Sequence, residues 1–118
     1  MKRYYIGKET LEVLEDNCIN LKYYVLANEV EKNNTKFVEY GIEIEKQDKS
    51  RIEKSQIADI TTDQTRIDFI VKALMKNNVT PVHLHDVIVD MLWTMGRSLY
   101  VYSNYIKIIN LTKFWMNI

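Results

Sequence analysis

Residues 62–93 constrain the fold more than any other stretch, because they predict two short amphipathic helices joined by a tight turn. Apolar residues of the first helix recur at the spacing of one helical face: Ile67, Ile70, Val71, Leu74 and Met75. Thr62 is the predicted N-cap, with Asp63 in the first turn, where its negative charge suits the helix dipole. Asn77 and Asn78 predict the end of this helix, because asparagine tolerates the left-handed conformation found there.

Thr80 and Pro81 predict the start of the second helix, since threonine can cap it and proline suits the first helical position. Its main apolar face consists of Leu84, Val87, Ile88, Met91 and Leu92. A second apolar strip consists of Val82, Val89 and Trp93. A helix that is apolar on two sides usually lies between two layers or partners. We therefore predict that Val82, Val89 and Trp93 bind a partner.

Between these apolar surfaces, His83, Asp86 and Asp90 share one narrow polar edge at i, i+3 and i+7. An imidazole and two carboxylates suggest a partial metal or acid/base site, but metals prefer three or four ligands and this helix offers three at most. The alternative that we favour is a solvated edge where the imidazole hydrogen-bonds a carboxylate. We expect no metal, no cofactor and no catalytic residue. His85 is expected to be packed and hydrogen-bonded.

An antiparallel hairpin is predicted upstream by two alternating stretches, residues 19–31 and 36–46, with a turn at 32–35. The inward-facing residues of the returning strand are predicted to be Val38, Tyr40, Ile42 and Ile44. Its outward-facing residues are predicted to be Glu39, Glu43 and Glu45. Gly41, in the middle of this alternation, predicts a bulge or a close packing contact.

The remaining upstream segments are shorter and are predicted individually. They are an irregular lead-in at 1–8, a short strand at 10–14, a turn at 15–18, a charged loop at 47–54, and a short strand or connector at 57–60. Three strands, with or without a fourth, therefore precede two helices. This order predicts an α+β domain in which an antiparallel meander of three or four strands packs against a two-helix hairpin.

Composition limits the classes of partner. Sixteen basic and sixteen acidic residues cancel, which removes the general attraction to nucleic acid. The second helix has no Lys or Arg between Pro81 and Trp93, unlike a helix that reads DNA. Tyr23, Tyr24 and Tyr40 are expected to pack in the core or against the helices, because glutamates rather than cations accompany them. We therefore expect no nucleic acid partner.

The single cysteine fits a reducing cytoplasm, and the chain has neither a secretory signal pattern nor an apolar run long enough to span a membrane. We expect one domain over residues 1–93. Residues 94–118 form an apolar and aromatic extension that contains three basic residues and no acidic ones. Three interpretations remain for it: part of the core, a segment that binds a partner or weakly associates with a membrane surface, or a non-native continuation encoded by AT-rich DNA.

The stretch from residue 23 to residue 92 resembles a small domain family of unknown function from anaerobic Gram-positive bacteria. The matching motifs are YYVL at 23–26, YGIEI at 40–44, IADIT at 57–61 and, above all, VTPVHLHDVIVDML at 79–92. The resemblance implies a small cytosolic bacterial protein and supplies no activity, ligand or catalytic residue. Within the last motif, His83 and Asp86 have no obligatory structural role.

The leading hypothesis for function is a non-enzymatic protein-interaction or regulatory module that forms a homodimer or binds a protein partner. The first alternative is a small metal-dependent or acid/base enzyme that uses His83, Asp86 and Asp90. The second alternative is nucleic-acid binding through the basic residues of 46–54 or through the C-terminal extension.

Overall fold

The computed structural model describes residues 1–14 and 17–95, which form a four-stranded antiparallel sheet and two helices. The elements are β1 (Lys2–Leu14), β2 (Asn17–Lys32), β3 (Thr35–Asp48), β4 (Arg51–Thr61), α1 (Gln64–Lys76), a 3-10 turn (Pro81–His83) and α2 (Leu84–Met95). The strands are hydrogen-bonded in chain order, β1-β2-β3-β4, with β1 and β4 at the edges. The predicted α+β meander with two helices is confirmed, and the fourth strand is present.

The β2–β3 hairpin turns at Asn33 and Asn34, whose φ angles are 52° and 63°. Lys32 pairs with Thr35 on either side of them. Two consecutive residues with positive φ match the type I′ turn, whose twist follows that of the flanking strands, and asparagine adopts this conformation readily. The predicted turn at residues 32–35 is confirmed, and the hairpin strands extend to Asn17 and Asp48.

Two predictions about the sheet are wrong. The predicted lead-in at 1–8 belongs to β1, where Lys2 pairs with Ala27. An edge strand can carry polar and aromatic residues on both faces, so its sequence lacks a clean alternation. The predicted loop at 47–54 contains only the turn at Lys49 and Ser50, because β3 continues to Asp48 and β4 begins at Arg51. Of the predicted turn at 15–18, residues 17–18 begin β2 and residues 15–16 lie outside the described range.

The charged residues of this region pair across the two strands, which explains why a polar sequence forms a hairpin. The facing pairs are Glu45 with Lys54, Lys46 with Glu53, and Asp48 with Arg51. Opposite charges that face each other across strands favour pairing, so charge here accompanies a strand and does not mark a loop.

Gly41 lies where β4 bulges. Tyr40 pairs with Thr61 and Ile42 with Ile57, so the single residue Gly41 faces residues 58–60 of β4. A Cβ atom on Gly41 would contact the carbonyl oxygen of Ile57 and would lie 2.7 Å from the Cα of Ala58. The backbone of β4 can pass this close only because the position carries no side chain. The predicted bulge or close contact at Gly41 is confirmed.

Both helices pack on one face of the sheet and bury the core. The buried core residues are Leu21, Tyr23, Val25, Ile42, Ile44, Ile67, Ile70, Val71, Leu74, Val79, Leu84, Val87, Ile88 and Met91. The buried hydroxyl of Tyr23 donates a 2.8 Å hydrogen bond to the carbonyl oxygen of Val79, between the helices. This burial raises the pKa of Tyr23. Tyr23 thus ties the interhelical connection to the centre of the sheet.

The helix ends differ slightly from prediction. The N-cap of α1 is Asp63, not Thr62, and its Oδ1 accepts hydrogen bonds from the backbone nitrogens of Thr65 at 2.9 Å and Arg66 at 3.4 Å. An aspartate oxygen at this position satisfies two amides that have no helical partner. Asn77 is the C-cap, as predicted.

The second helix begins later than predicted. Pro81 starts the 3-10 turn, in which the backbone nitrogen of His83 donates to the carbonyl of Thr80 at 3.1 Å. Thr80 occupies the predicted N-cap position, but its side chain forms no capping hydrogen bond. Only from Leu84 onward is the backbone α-helical.

The opposite face of the sheet carries no helix in the described structure, and we call it the open face. On it, Arg3 of β1 lies over the ring of Tyr24, 3.6 Å from the ring centroid. Its Nε donates a 2.8 Å hydrogen bond to Oε2 of Glu43 on β3. Glu43 is only 7% exposed, so its predicted outward direction is correct but its predicted exposure is wrong. Tyr24 also belongs to this face and not to the helix-packing core, whereas Tyr23 is in the core as predicted.

Candidate interaction surface

The inner face of α2 closes the core against the sheet. Leu84, Val87 and Met91 are fully buried, and Ile88 is nearly so. Leu92 is partly buried against the same cluster. The predicted main apolar face of α2 is thus the face that packs against the sheet. No second face of this helix is needed to cover the sheet.

The other apolar strip, Val82, Val89 and Trp93, is exposed, and we call it the outer strip. The exposed fractions of these side chains are 75%, 52% and 62%. Val89 lies two residues before the buried Met91, or about 200° around the helix, so the outer strip points away from the sheet. Val89 and Trp93 are one helical turn apart, and Val82 precedes them in the 3-10 turn. The described fold therefore leaves this strip at the surface.

Polar residues border the outer strip. Asp86 and Asp90 are exposed along one side of it, and His85 is exposed along the other. The expectation that His85 is packed is wrong, because His85 lies one turn before Val89 and shares the outward side of α2. A shallow depression of about 490 Å³ separates this part of the surface from β4 and is lined by residues 53–55, Pro81, Val82 and His85.

The predicted polar edge is spread along the surface. His83 lies in the 3-10 turn and is half-buried, whereas Asp86 and Asp90 are exposed on α2. Within residues 1–14 and 17–95, no group of three or more His, Cys, Asp or Glu residues lies close enough to hold a metal ion. An acid/base or metal site at His83, Asp86 and Asp90 stays a prediction to which the described geometry adds no further ligand.

Two of the four basic residues of 46–54 lie close to carboxylates. Lys54 Nζ is 3.6 Å from Oε1 of Glu45, and an Arg51 terminal nitrogen is 3.6 Å from Oε1 of Glu53. These contacts offset positive charge that phosphate groups would otherwise attract. The hairpin of β3 and β4 is thus a mixed-charge surface, unlike the basic patch expected of a nucleic-acid-binding protein.

A second concave region was not predicted. A cleft of about 770 Å³ opens above the sheet, beside the first turns of α1. Val25 and Tyr40 lie in its floor, Ile67 in the α1 wall, and Tyr4 and Ile6 in the β1 wall. The cleft exists because β2, with sixteen residues, extends about 50 Å, whereas α1, with thirteen, covers about 20 Å. It was not predicted because residues 1–8 were not assigned to a strand and because the relative lengths of helix and sheet are not a local sequence pattern.

Comparison with known proteins identifies a family but no function. No helix in the described part of the chain is both long and apolar enough to cross a membrane. No curated protein matches the chain. No solved structure matches it either. One family model matches residues 2–94, which include all four strands and nearly all of α2. The match extends beyond the 23–92 stretch on which the resemblance rested, and the chain belongs to this family, described as "Family of unknown function (DUF6514)".

Proposed function

We propose that this protein is a non-enzymatic protein-interaction module and that the outer strip of α2 contacts its partner. The observation that carries the proposal is the exposure of Val82 in the 3-10 turn and of Val89 on α2, whose opposite face is already packed against the sheet. The core does not need these residues. Burial of one such side chain against a partner would contribute about 1.5–3 kcal/mol before the costs of association.

The chemistry of the outer strip favours a particular class of partner. Trp93 supplies the kind of large, amphipathic side chain that often dominates binding energy at interfaces. Asp86 and Asp90 border the strip with negative charge. A protein segment that presents apolar side chains flanked by Lys or Arg would complement both features.

The exposed, unpaired thiol of Cys18 is compatible with a reducing compartment, so we propose the bacterial cytoplasm as the place of interaction.

A photo-crosslinking experiment tests this proposal directly. A photoreactive amino acid is placed at Val89 and, as a control, at Lys72, which is exposed on α1. We expect a partner that cross-links from Val89 and not from Lys72. The partner is then purified, and its affinity is measured by calorimetry for the wild type, Val89→Ser and the matched control Ile52→Ser, in which an exposed isoleucine of β4 is changed.

The expected result is at least about a tenfold loss of affinity for Val89→Ser, corresponding to about 1.4 kcal/mol, and no change for Ile52→Ser. A partner whose affinity is the same for Val89→Ser and the wild type would refute the role of the outer strip. An equal loss of affinity in both variants would also refute it, because the partner would then depend on the β4 edge as much as on the outer strip.

A further inference from the structure

We propose that β1 is a second interaction surface, at which two copies of this chain join their sheets edge to edge. β1 is hydrogen-bonded to β2 on one side only. Along its other side, the backbone N–H and C=O groups have no strand partner among the described residues. An edge of thirteen residues is long enough to form a hydrogen-bonded ladder with another strand.

The exposed side chains at the start of the chain indicate that the second copy lies alongside β1. Met1, Tyr4, Tyr5 and Ile6 are 38–68% exposed and nearly consecutive. Tyr4 pairs with Val25 on the helix-covered face, whereas Tyr5 pairs with Tyr24 on the open face. A molecule bound in the cleft would contact Met1, Tyr4 and Ile6 but not Tyr5. A strand added beside β1 contacts both faces at once, because its own side chains alternate.

Antiparallel pairing of β1 with a second copy makes charges complementary. If Tyr5 lies opposite Ile6 of the second copy, Lys2 lies opposite Glu9 and Tyr4 lies opposite Gly7. Lys2 and Glu9 share the helix-covered face, since their β2 partners are Ala27 and Leu21. The bulge between Tyr5 and Gly7 produces this agreement of faces. Two-fold symmetry then gives two Lys2–Glu9 pairs per dimer.

On the opposite face, the same symmetry places Arg3 beside Lys8 of the second copy, and these two contacts per dimer are the ones of like charge in this register. The charge of Arg3 is already opposed by Glu43, whose Oε2 lies 2.7 Å from an Arg3 terminal nitrogen. Lys8 of the second copy therefore approaches an Arg3 that is already paired with Glu43, and not an isolated cation.

The other edge strand, β4, has a composition that opposes pairing. Its only exposed large apolar residue is Ile52, which lies between Arg51 and Glu53. The bulge opposite Gly41 further interrupts the strand, with Asp59 at a φ of 53°. Because β1 also contains charges and bulges, the difference between the edges lies in exposed apolar surface: β1 carries Tyr4, Tyr5 and Ile6, whereas β4 carries Ile52 alone. The contrast between the two edges favours β1 as the site of self-association.

Sedimentation equilibrium of the full chain across a range of concentrations tests the proposal. We expect a monomer–dimer equilibrium. Lys2→Glu and Glu9→Lys should each weaken the dimer about tenfold, and the double variant should restore it, because the charges are exchanged. Ile6→Lys should give a monomer, whereas Ile52→Lys on β4 should leave the dissociation constant unchanged.

Two outcomes overturn the proposal: a monomer at every concentration up to several hundred micromolar, or a dimer that withstands Ile6→Lys. A dimer lost in Val89→Ser and retained in Ile6→Lys would assign self-association to the outer strip. Partner binding at the outer strip is measured separately, so the two proposals fail independently. If a β1 variant does not fold, amide exchange of the wild type decides. Residues 2–6 should exchange more slowly at high protein concentration, and equal rates at all concentrations would refute the dimer.

Discussion

The two faces of the sheet are stabilised by different kinds of interaction. The helix-covered face is apolar, and its central residues, such as Ile42 and Ile44, are fully buried beneath α1 and α2. On the open face, Arg3 lies across Tyr24 and reaches Glu43, so one side chain connects three adjacent strands. A strand whose residues alternate between faces can thus contribute to an apolar core and to a polar network at the same time.

The open face shows how a carboxylate is buried without a covering layer. Burial alone would lower the pKa of Arg3, but its hydrogen bond to Glu43 and the charge of Glu43 outweigh this effect and raise the pKa. Arg3 is charged, as arginine always is in proteins, and opposes the charge of Glu43. Glu45 extends the network, with Lys22 4.0 Å away and Lys54 3.6 Å away. Because Arg3 and both lysines are partly exposed, each of these pairs contributes little by itself.

The largest effect is expected from truncation on the helix-covered face. Ile44→Ala should lower the free energy of unfolding by about 4 kcal/mol, since it removes buried carbons and leaves a cavity beneath the helices. The same change at Ile52, an isoleucine at the exposed edge strand β4, should cost less than about 1 kcal/mol. Urea denaturation measures both values. Similar losses in the two variants would show that the helices do not cover the sheet as described.

The next effect concerns the close backbone approach on the open face. Gly41→Ala should destabilise the protein by about 3 kcal/mol, because the new Cβ would contact Ile57 and Ala58 of the bulged β4. The obstacle is backbone, so it cannot move aside as a flexible side chain could. Thermal unfolding measures the change, with Ala58→Gly as a control at the same bulge that leaves the contacted backbone atoms in place. A Gly41→Ala protein as stable as the wild type would contradict the bulge geometry.

Periodicity explains which parts of the fold could be predicted from the sequence. The spacing of Ile67, Ile70 and Leu74 gives the buried face of α1 directly, because a helix has a single repeat. The same reasoning identified the outer strip, since α2 carries apolar residues on two sides and a sheet face requires only one. Local turn chemistry at Asn33 and Asn34 predicted the hairpin.

The features that were missed depend on pairing between strands. Residues 1–8 form part of an edge strand whose two faces have different surroundings, so no single alternation marks it. Asp48 and Arg51 were predicted as loop residues, and only the register places them opposite each other in two strands. The cleft beside β1 depends on the relative lengths of helices and strands, and on their positions, which no local pattern encodes. Long-range register is thus the information that the sequence pattern alone lacked.

A smaller effect is expected from the hydrogen bond that Tyr23 donates to Val79 inside the apolar core. Tyr23→Phe should cost about 2 kcal/mol at neutral pH, because the buried carbonyl of Val79 loses its donor. The pH dependence provides a second readout. The pKa of Tyr23 is raised above its usual value of 10.0 by burial, so its stabilising contribution is complete below that pH and decreases as the pH rises.

Above about pH 10, the unfolded chain releases the Tyr23 proton while the folded chain retains it, so stability should fall with increasing pH. In Tyr23→Phe this pH-dependent loss of stability is absent. The slope of unfolding free energy against pH should therefore be shallower than in the wild type. Urea titrations between pH 8 and pH 11 measure the difference, a range chosen around the ordinary tyrosine pKa of about 10. Tyr4→Phe is the control, because Tyr4 is exposed. Parallel slopes in Tyr23→Phe and the wild type would mean that Tyr23 is not buried.

The smallest effect is expected from the polar network of the open face. Glu43→Gln removes the charge beneath Arg3 but keeps an oxygen that can accept its hydrogen bond, so we expect a loss of about 1 kcal/mol. Glu53→Gln is the matched control, since its pair with Arg51 is exposed and should contribute less than about 0.5 kcal/mol. Urea denaturation at low and high salt distinguishes the two ion pairs. Salt should reduce the contribution of the exposed Arg51–Glu53 pair more than that of the Arg3–Glu43 pair, because screening is stronger at exposed sites. If Glu43→Gln costs as little as Glu53→Gln, the open face is stabilised by packing and not by the ion pair, since Tyr24 and Leu26, the β2 partner of Arg3, are both buried.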